Sequence, residues 1–175
     1  MRNVGVGTRM RAWLLRTFRG RPHDAAAWAD QAPVSAGPAE AFGVAGLYVA
    51  VTPVGLRSAG QNPVSIVYEV QISREGRSEQ WSSRYGFPPA HASARRAADA
   101  ALDELCEISQ GPAAWMANVT AGMSEDEVEA MEDNPALQRD LRAADWVGPE
   151  LEPLRAKRAV EGTWLAPPDA AQPLL

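Results

Sequence analysis

Hydrophobic and polar positions alternate without a break from Val64 to Ser73. Val64, Ile66, Tyr68, Val70 and Ile72 fall on one side of an extended backbone; Ser65, Val67, Glu69, Gln71 and Ser73 fall on the other. Arg74-Glu75-Gly76-Arg77 interrupts the pattern with a glycine suited to positive φ. Alternation then resumes, with Trp81, Ser83, Tyr85 and Phe87 opposite Gln80, Ser82 and Arg84. This predicts a hairpin of strands 64–73 and 78–87. A slip of one residue would expose the whole apolar set, so the register is well determined. Upstream, Val44 to Thr52 is a continuous apolar run whose length and β-branched content predict a further strand, about 44–56. A loop with turn residues Gly60-Gln61-Asn62 joins it to the hairpin.

After Pro88 and Pro89 the period changes from two to three-and-four. Ala94, Ala97, Ala98, Ala101, Leu102, Leu105 and Ile108 form one apolar stripe of a helix spanning 90–109. Arg95, Arg96, Asp99, Asp103 and Glu107 occupy its opposite side, and Gly111-Pro112 ends it. The alanines allow close approach to the sheet at one end of the helix; Leu and Ile fill a wider gap beside Trp81 and Tyr85 at the other. The expected fold class is α+β: a three-stranded antiparallel sheet on one Ala-rich helix, with short peripheral helices at both ends. The chain divides into a basic N-terminal arm and linker (1–41), a β-β-β-α core module (42–110), an acidic, broken-helical region (111–165) and a disordered tail (166–175).

The peripheral signals are weaker. Residues 8–19 have a helical stripe of Met10, Trp13, Leu14 and Phe18, stopped by Gly20-Arg21-Pro22, and 24–30 form a second short helical stretch. Residues 32–41 read as a linker. Ser124 with Glu127 is a capping box. Asn134-Pro135 starts a helix through about Ala144, and Pro149 starts another through Val160, closed by Gly162.

Composition tempers the apolar picture. The hydrophobic fraction is 46% of 175 residues, but Leu, Val, Ile and Phe together make only 33, about 19%, a level at which disorder competes with folding. The six Trp offset this, since each can bury a large area. Five of them, Trp13, Trp28, Trp115, Trp146 and Trp164, lie outside the module, and large aromatics on thin segments act as interface anchors or fold back to complete a small core. Lys157 is the only Lys against sixteen Arg, and with abundant Ala, Gly and Pro this coding bias points to a bacterial or phage source. The net charge of −5 hides a gradient: residues 1–22 carry six Arg and no acid, whereas 109–175 carry twelve acids and five bases. A basic head and an acidic tail suggest interaction segments.

Candidate chemistry is sparse. Cys106 is the only cysteine, so no internal disulfide forms, and with His23 and His91 alone beside it the usual structural zinc site is excluded within one chain. His91 sits fifteen residues from Cys106 on the expected helix, some 22 Å away, too far to act as its base. The acids Glu125 to Asp133 lack calcium-loop spacing and suit the start of a solvated helix. Gly5-Val6-Gly7 has no preceding strand and no following Lys-Ser/Thr, so it is no phosphate loop. No apolar run is long enough for a signal peptide or a membrane span, which leads us to expect a cytoplasmic protein.

The strand, strand, strand, helix order over about residues 44–108, with the run Ala97-Ala98-Asp99-Ala100-Ala101-Leu102, resembles the double-stranded-RNA-binding domain. That family places several Lys at the start of its last helix. Here the matching stretch is Ala90-His91-Ala92-Ser93-Ala94, without positive charge. The resemblance therefore implies a similar fold and does not extend to RNA binding.

These observations lead to the expectation of a non-enzymatic adaptor, without cofactor or metal, docking on a protein partner or another copy of itself. Its contact residues would be Arg9, Arg11, Trp13, Arg16, Phe18 and Arg19. The alternative is a nucleic-acid-binding protein using the Arg-rich N-terminus with Arg74, Arg77, Arg84, Arg95 and Arg96.

Overall fold

The computed structural model describes residues 38–57, 65–132 and 134–168. An antiparallel sheet in the order β1-β2-β3-β4 comprises β1 (Glu40–Val44), β2 (Leu47–Arg57), β3 (Ser65–Arg74) and β4 (Gln80–Phe87). Helices follow: α1 (Ala94–Gln110), α2 (Pro112–Val119), α3 (Glu125–Glu132), α4 (Pro135–Leu151) and α5 (Arg155–Glu161). The fold is α+β as expected, but among the described residues the sheet has four strands, not three. Val44 to Thr52 is not one strand, because the chain reverses at Ala45-Gly46. Val44 pairs with Leu47, and Ala45 and Gly46 adopt φ of 47° and 76°. Positive φ at both central residues is the turn whose twist matches a hairpin. Ala at the first position concealed it in the sequence, where Asn-Gly would have announced it. Glu40 and Ala41, assigned above to the linker, belong to β1.

The β3–β4 hairpin matches the predicted alternation. Ile72 lies opposite Trp81, Val70 opposite Ser83 and Tyr68 opposite Tyr85. The turn closes through the Arg77 amide donating to the Arg74 carbonyl (3.2 Å), with Gly76 at φ 69°. Between β2 and β3 the register shifts at Pro53/Gly55, where proline has no amide to give to the ladder. Val49, Val51, Val70, Ile72, Trp81 and Tyr85 are buried on the face that meets α1, with Ile66 and Phe87 partly buried at its margin. Val64 lies outside the described residues.

Helix α1 begins later than the period alone indicates. Pro89–His91 form a separate 3₁₀ turn, and Ser93 caps α1 by accepting from the Arg96 amide (3.2 Å). All seven residues of its predicted apolar stripe are buried.

The C-terminal third returns to this core. Trp115, Val119, Leu137, Ala143, Ala144, Val147, Leu151, Trp164 and Leu165 are buried in the same cluster as the sheet. The capping box before α3 is present: the backbone and hydroxyl of Ser124 both donate to Glu127 (2.8 and 2.9 Å), and these bonds hold the Glu127 carboxyl below its ordinary value. Asn134 caps α4 through the Ala136 amide (2.9 Å).

Contrary to the expected break between Ala144 and Pro149, α4 runs straight through Pro149. Proline removes the donor for the Asp145 carbonyl four residues back, but both residues are exposed, where water substitutes. Continuing the helix brings Val147, Gly148 and Leu151 onto α1. At the crossing, a β-carbon on Gly148 would lie 1.8 Å from Ser109 Oγ and 2.3 Å from Ser109 Cβ. The glycine is therefore required by the contact.

Two stability predictions follow from these positions. Gly148→Ala should destabilise by about 2 kcal/mol or more, as overpacking does. Adding Ser109→Gly should recover part of the loss; thermal melts of the three proteins check this. Ala45→Gly should raise stability by about 1 kcal/mol in denaturant titration, because a β-carbon at positive φ is strained.

Candidate functional site

The charged side of α1, which the sequence places opposite the apolar stripe, is a docking strip for the C-terminal segment. Asp99 accepts from the Thr163 hydroxyl (2.8 Å) and the Trp164 amide (2.8 Å). Asp103 accepts from Arg158 Nε (3.0 Å) and Nη2 (2.6 Å), and from Trp164 Nε1 (2.8 Å). The fork geometry of Arg158 suits the carboxylate and raises the guanidinium's already high pKa further. Gly162, at φ 72°, ends α5 and turns the chain into this contact. Arg95 donates to the Ala166 carbonyl and lies 5.6 Å from the Phe42 ring centroid. Trp115 and Trp164 are thus core residues, and Trp146 is half-buried against the same cluster.

Two carboxylates are buried against β4, Glu104 on α1 and Asp140 on α4. Tyr85 donates its hydroxyl to Glu104 (2.7 Å), and Trp81 donates Nε1 to Asp140 (2.7 Å). Ser83, between the two aromatics on the same face of β4, is also buried. The sequence offers one signal for this arrangement: a serine, a Tyr hydroxyl and a Trp indole all on an inward face need polar partners. Which carboxylates supply them is set by helix packing and is invisible in the pattern.

The five arginines of the alternative reading do not converge. Arg74 forms an ion pair with Glu150. Arg84 is on the sheet face away from α1, bonded to Glu69 (3.2 Å). Arg95 is occupied as described, Arg96 is exposed beside it, and Arg77 is exposed in the β3–β4 turn. Arg9, Arg11, Trp13, Arg16, Phe18 and Arg19 lie outside the described residues. Cys106 is buried, accepts from Gln110 (2.9 Å), and has its thiol pKa pushed up by that burial; His91 is exposed. Among the described residues there is no cluster of three or more His, Cys, Asp or Glu able to hold a metal, and no helix long and apolar enough to cross a membrane.

Near the β3–β4 turn the outer sheet face is built, apart from Tyr48, from small and polar side chains in register; farther along β3 it carries the buried Val67. One rung is Tyr48, Ser73 and Gln80; the next is Ala50, Gln71 and Ser82; a third is Thr52, Glu69 and Arg84. Over the first two rungs lies a depression of about 280 Å³, bounded by Tyr48 on β2 and by Arg139 from α4. Tyr48 is 53% exposed, an unusual position for a large ring in a chain this short of large apolar residues. The sequence placed Tyr48 within an apolar run and gave no sign that it faces outward, since the hairpin that reverses its surroundings was hidden.

No protein-family model, curated protein or solved structure matches this chain. The fourth strand also departs from the three-stranded order on which the likeness to the double-stranded-RNA-binding domain was drawn.

Removing either buried donor tests the polar layer. Tyr85→Phe should cost about 1–3 kcal/mol, and Trp81→Phe at least as much, because each leaves a buried carboxylate with one donor fewer. Chemical denaturation checks both. A loss below 0.5 kcal/mol, a typical surface value, would show that the layer contributes nothing.

Proposed function

We propose that this chain is a non-enzymatic interaction protein that docks on a protein partner through the outer face of its sheet, assisted by the basic N-terminal segment. The observation that carries this reading is Tyr48, more than half exposed at the rim of a polar depression on the sheet face away from α1. Tyr is favoured in interfaces because it brings contact area and a hydrogen-bonding tip at low entropic cost. Trp115 and Trp164 are committed to the core, so the aromatic candidates for a partner include Tyr48 and, outside the described residues, Trp28 and the segment holding Arg9, Arg11, Trp13, Arg16, Phe18 and Arg19. The buried thiol and the residue usage fit a cytoplasmic protein of a bacterium or phage. Nucleic-acid binding is the weaker reading, because Arg74, Arg84 and Arg95 are already engaged within the chain.

Photo-crosslinking tests the proposal. A benzophenone amino acid replaces Tyr48 in the full chain or, as a control, Val160, which is 87% exposed. In cells of the native host, position 48 should give a discrete protein adduct, competed by the unlabelled chain and not by its Tyr48→Ser variant. No adduct, together with retention on DNA or RNA that falls steeply with salt, would replace this reading with the nucleic-acid one.

A further inference from the structure

The depression at Tyr48 has one charged wall, and this narrows the chemistry of what it holds. Its lining residues include Ser73, Ser82, Gln80, Gln71 and Tyr48, all able to donate hydrogen bonds, and its only charged member is Arg139. Two acids near it, Glu69 and Asp140, are already engaged. Glu69, one rung away, is bridged to Arg84 and accepts from Gln71 (3.2 Å). Asp140 is buried, with Oδ1 accepting from Trp81 Nε1 at 2.7 Å; Arg139 Nε stands 3.9 Å from that oxygen, a long ion pair without a hydrogen bond. The same bond fixes the rotation of α4 beside Trp81, and so sets where Arg139, 43% exposed, meets the outer face. The site thus combines a held guanidinium, neutral donors on a rigid sheet and an aromatic rim, within a chain whose net charge is −5. A guanidinium with flanking hydroxyl and amide donors matches a carboxylate.

We propose that this depression is a carboxylate-binding site that takes an Asp or Glu side chain of an acidic peptide segment on the partner, an inference resting on the protein-partner reading above. Arg139 pairs with the carboxylate, Ser73, Ser82 and Gln80 supply neutral hydrogen bonds, and Tyr48 packs along the peptide.

The test is a titration of the isotopically labelled full chain, followed by NMR at the Arg139 Nε–H and the Gln71 and Gln80 side-chain amides. Hexaglutamate should shift these resonances in a saturable way, and hexaglutamine should not. Arg139→Gln should weaken binding about tenfold or more, with an otherwise unchanged amide spectrum, and Tyr48→Ser should weaken it severalfold. Absence of a shift, equal binding by Arg139→Gln, or equal shifts with sulfate alone would overturn the assignment. The two proposals fail separately. If Arg139→Gln still forms the Tyr48 crosslink at full yield, the carboxylate site is wrong while the docking face stands. If no crosslink forms but hexaglutamate binds through Arg139, the site stands and the protein-partner reading falls.

Discussion

The close approach of α1 to the sheet is the constraint on which the rest of the molecule depends. Ala94, Ala97, Ala98 and Ala101 are buried with almost no side-chain volume between helix axis and strands. Such a helix cannot bury much area alone; each alanine contributes far less than a leucine. The missing burial is supplied by wrapping. Leu102, Leu105 and Ile108 fill the wider end, α4 crosses at Ser109/Gly148, and the segment from Arg158 to Leu165 covers the flank carrying Asp99 and Asp103. A chain with few large aliphatic residues thereby reaches one continuous core through a helix used on several sides.

What the sequence disclosed follows from the physics of each element. Strict alternation made the β3–β4 register legible residue by residue, and three-and-four spacing did the same for the buried stripe of α1. The Ala45-Gly46 turn was hidden because alanine at positive φ is rare and carries no local mark. The path of α4 through Pro149 was hidden for a different reason. A proline penalty of a few kcal/mol is outweighed when the residues on either side of it, Val147 and Leu151, are buried, and only tertiary packing reveals that. The partners of Asp103 were hidden because charge pattern carries no mark of an arginine and an indole brought back from more than fifty residues away.

The candidate surface shares this limit. Its two rungs are the polar half of an alternation that was plain in the sequence for β3 and β4. Tyr48 and Arg139, which give that face its shape and charge, arrive through the concealed turn and through a helix positioned by the Trp81–Asp140 bond. The distinguishing residues are those whose placement depends on long-range contacts, so periodicity describes the platform without what stands on it.

The strap from Arg158 to Leu165 also has a consequence for the order in which the molecule assembles. The described strands are joined as successive antiparallel neighbours, so each hairpin can form soon after its residues leave the ribosome. Trp164 meets Asp103 across 61 positions, and Thr163 meets Asp99 across 64. Until those last residues emerge, one flank of α1 holds two carboxylates without their partners and the apolar cluster lacks Trp164 and Leu165. Closure of this flank therefore has to wait until α2 through α4 and the start of α5 have been made.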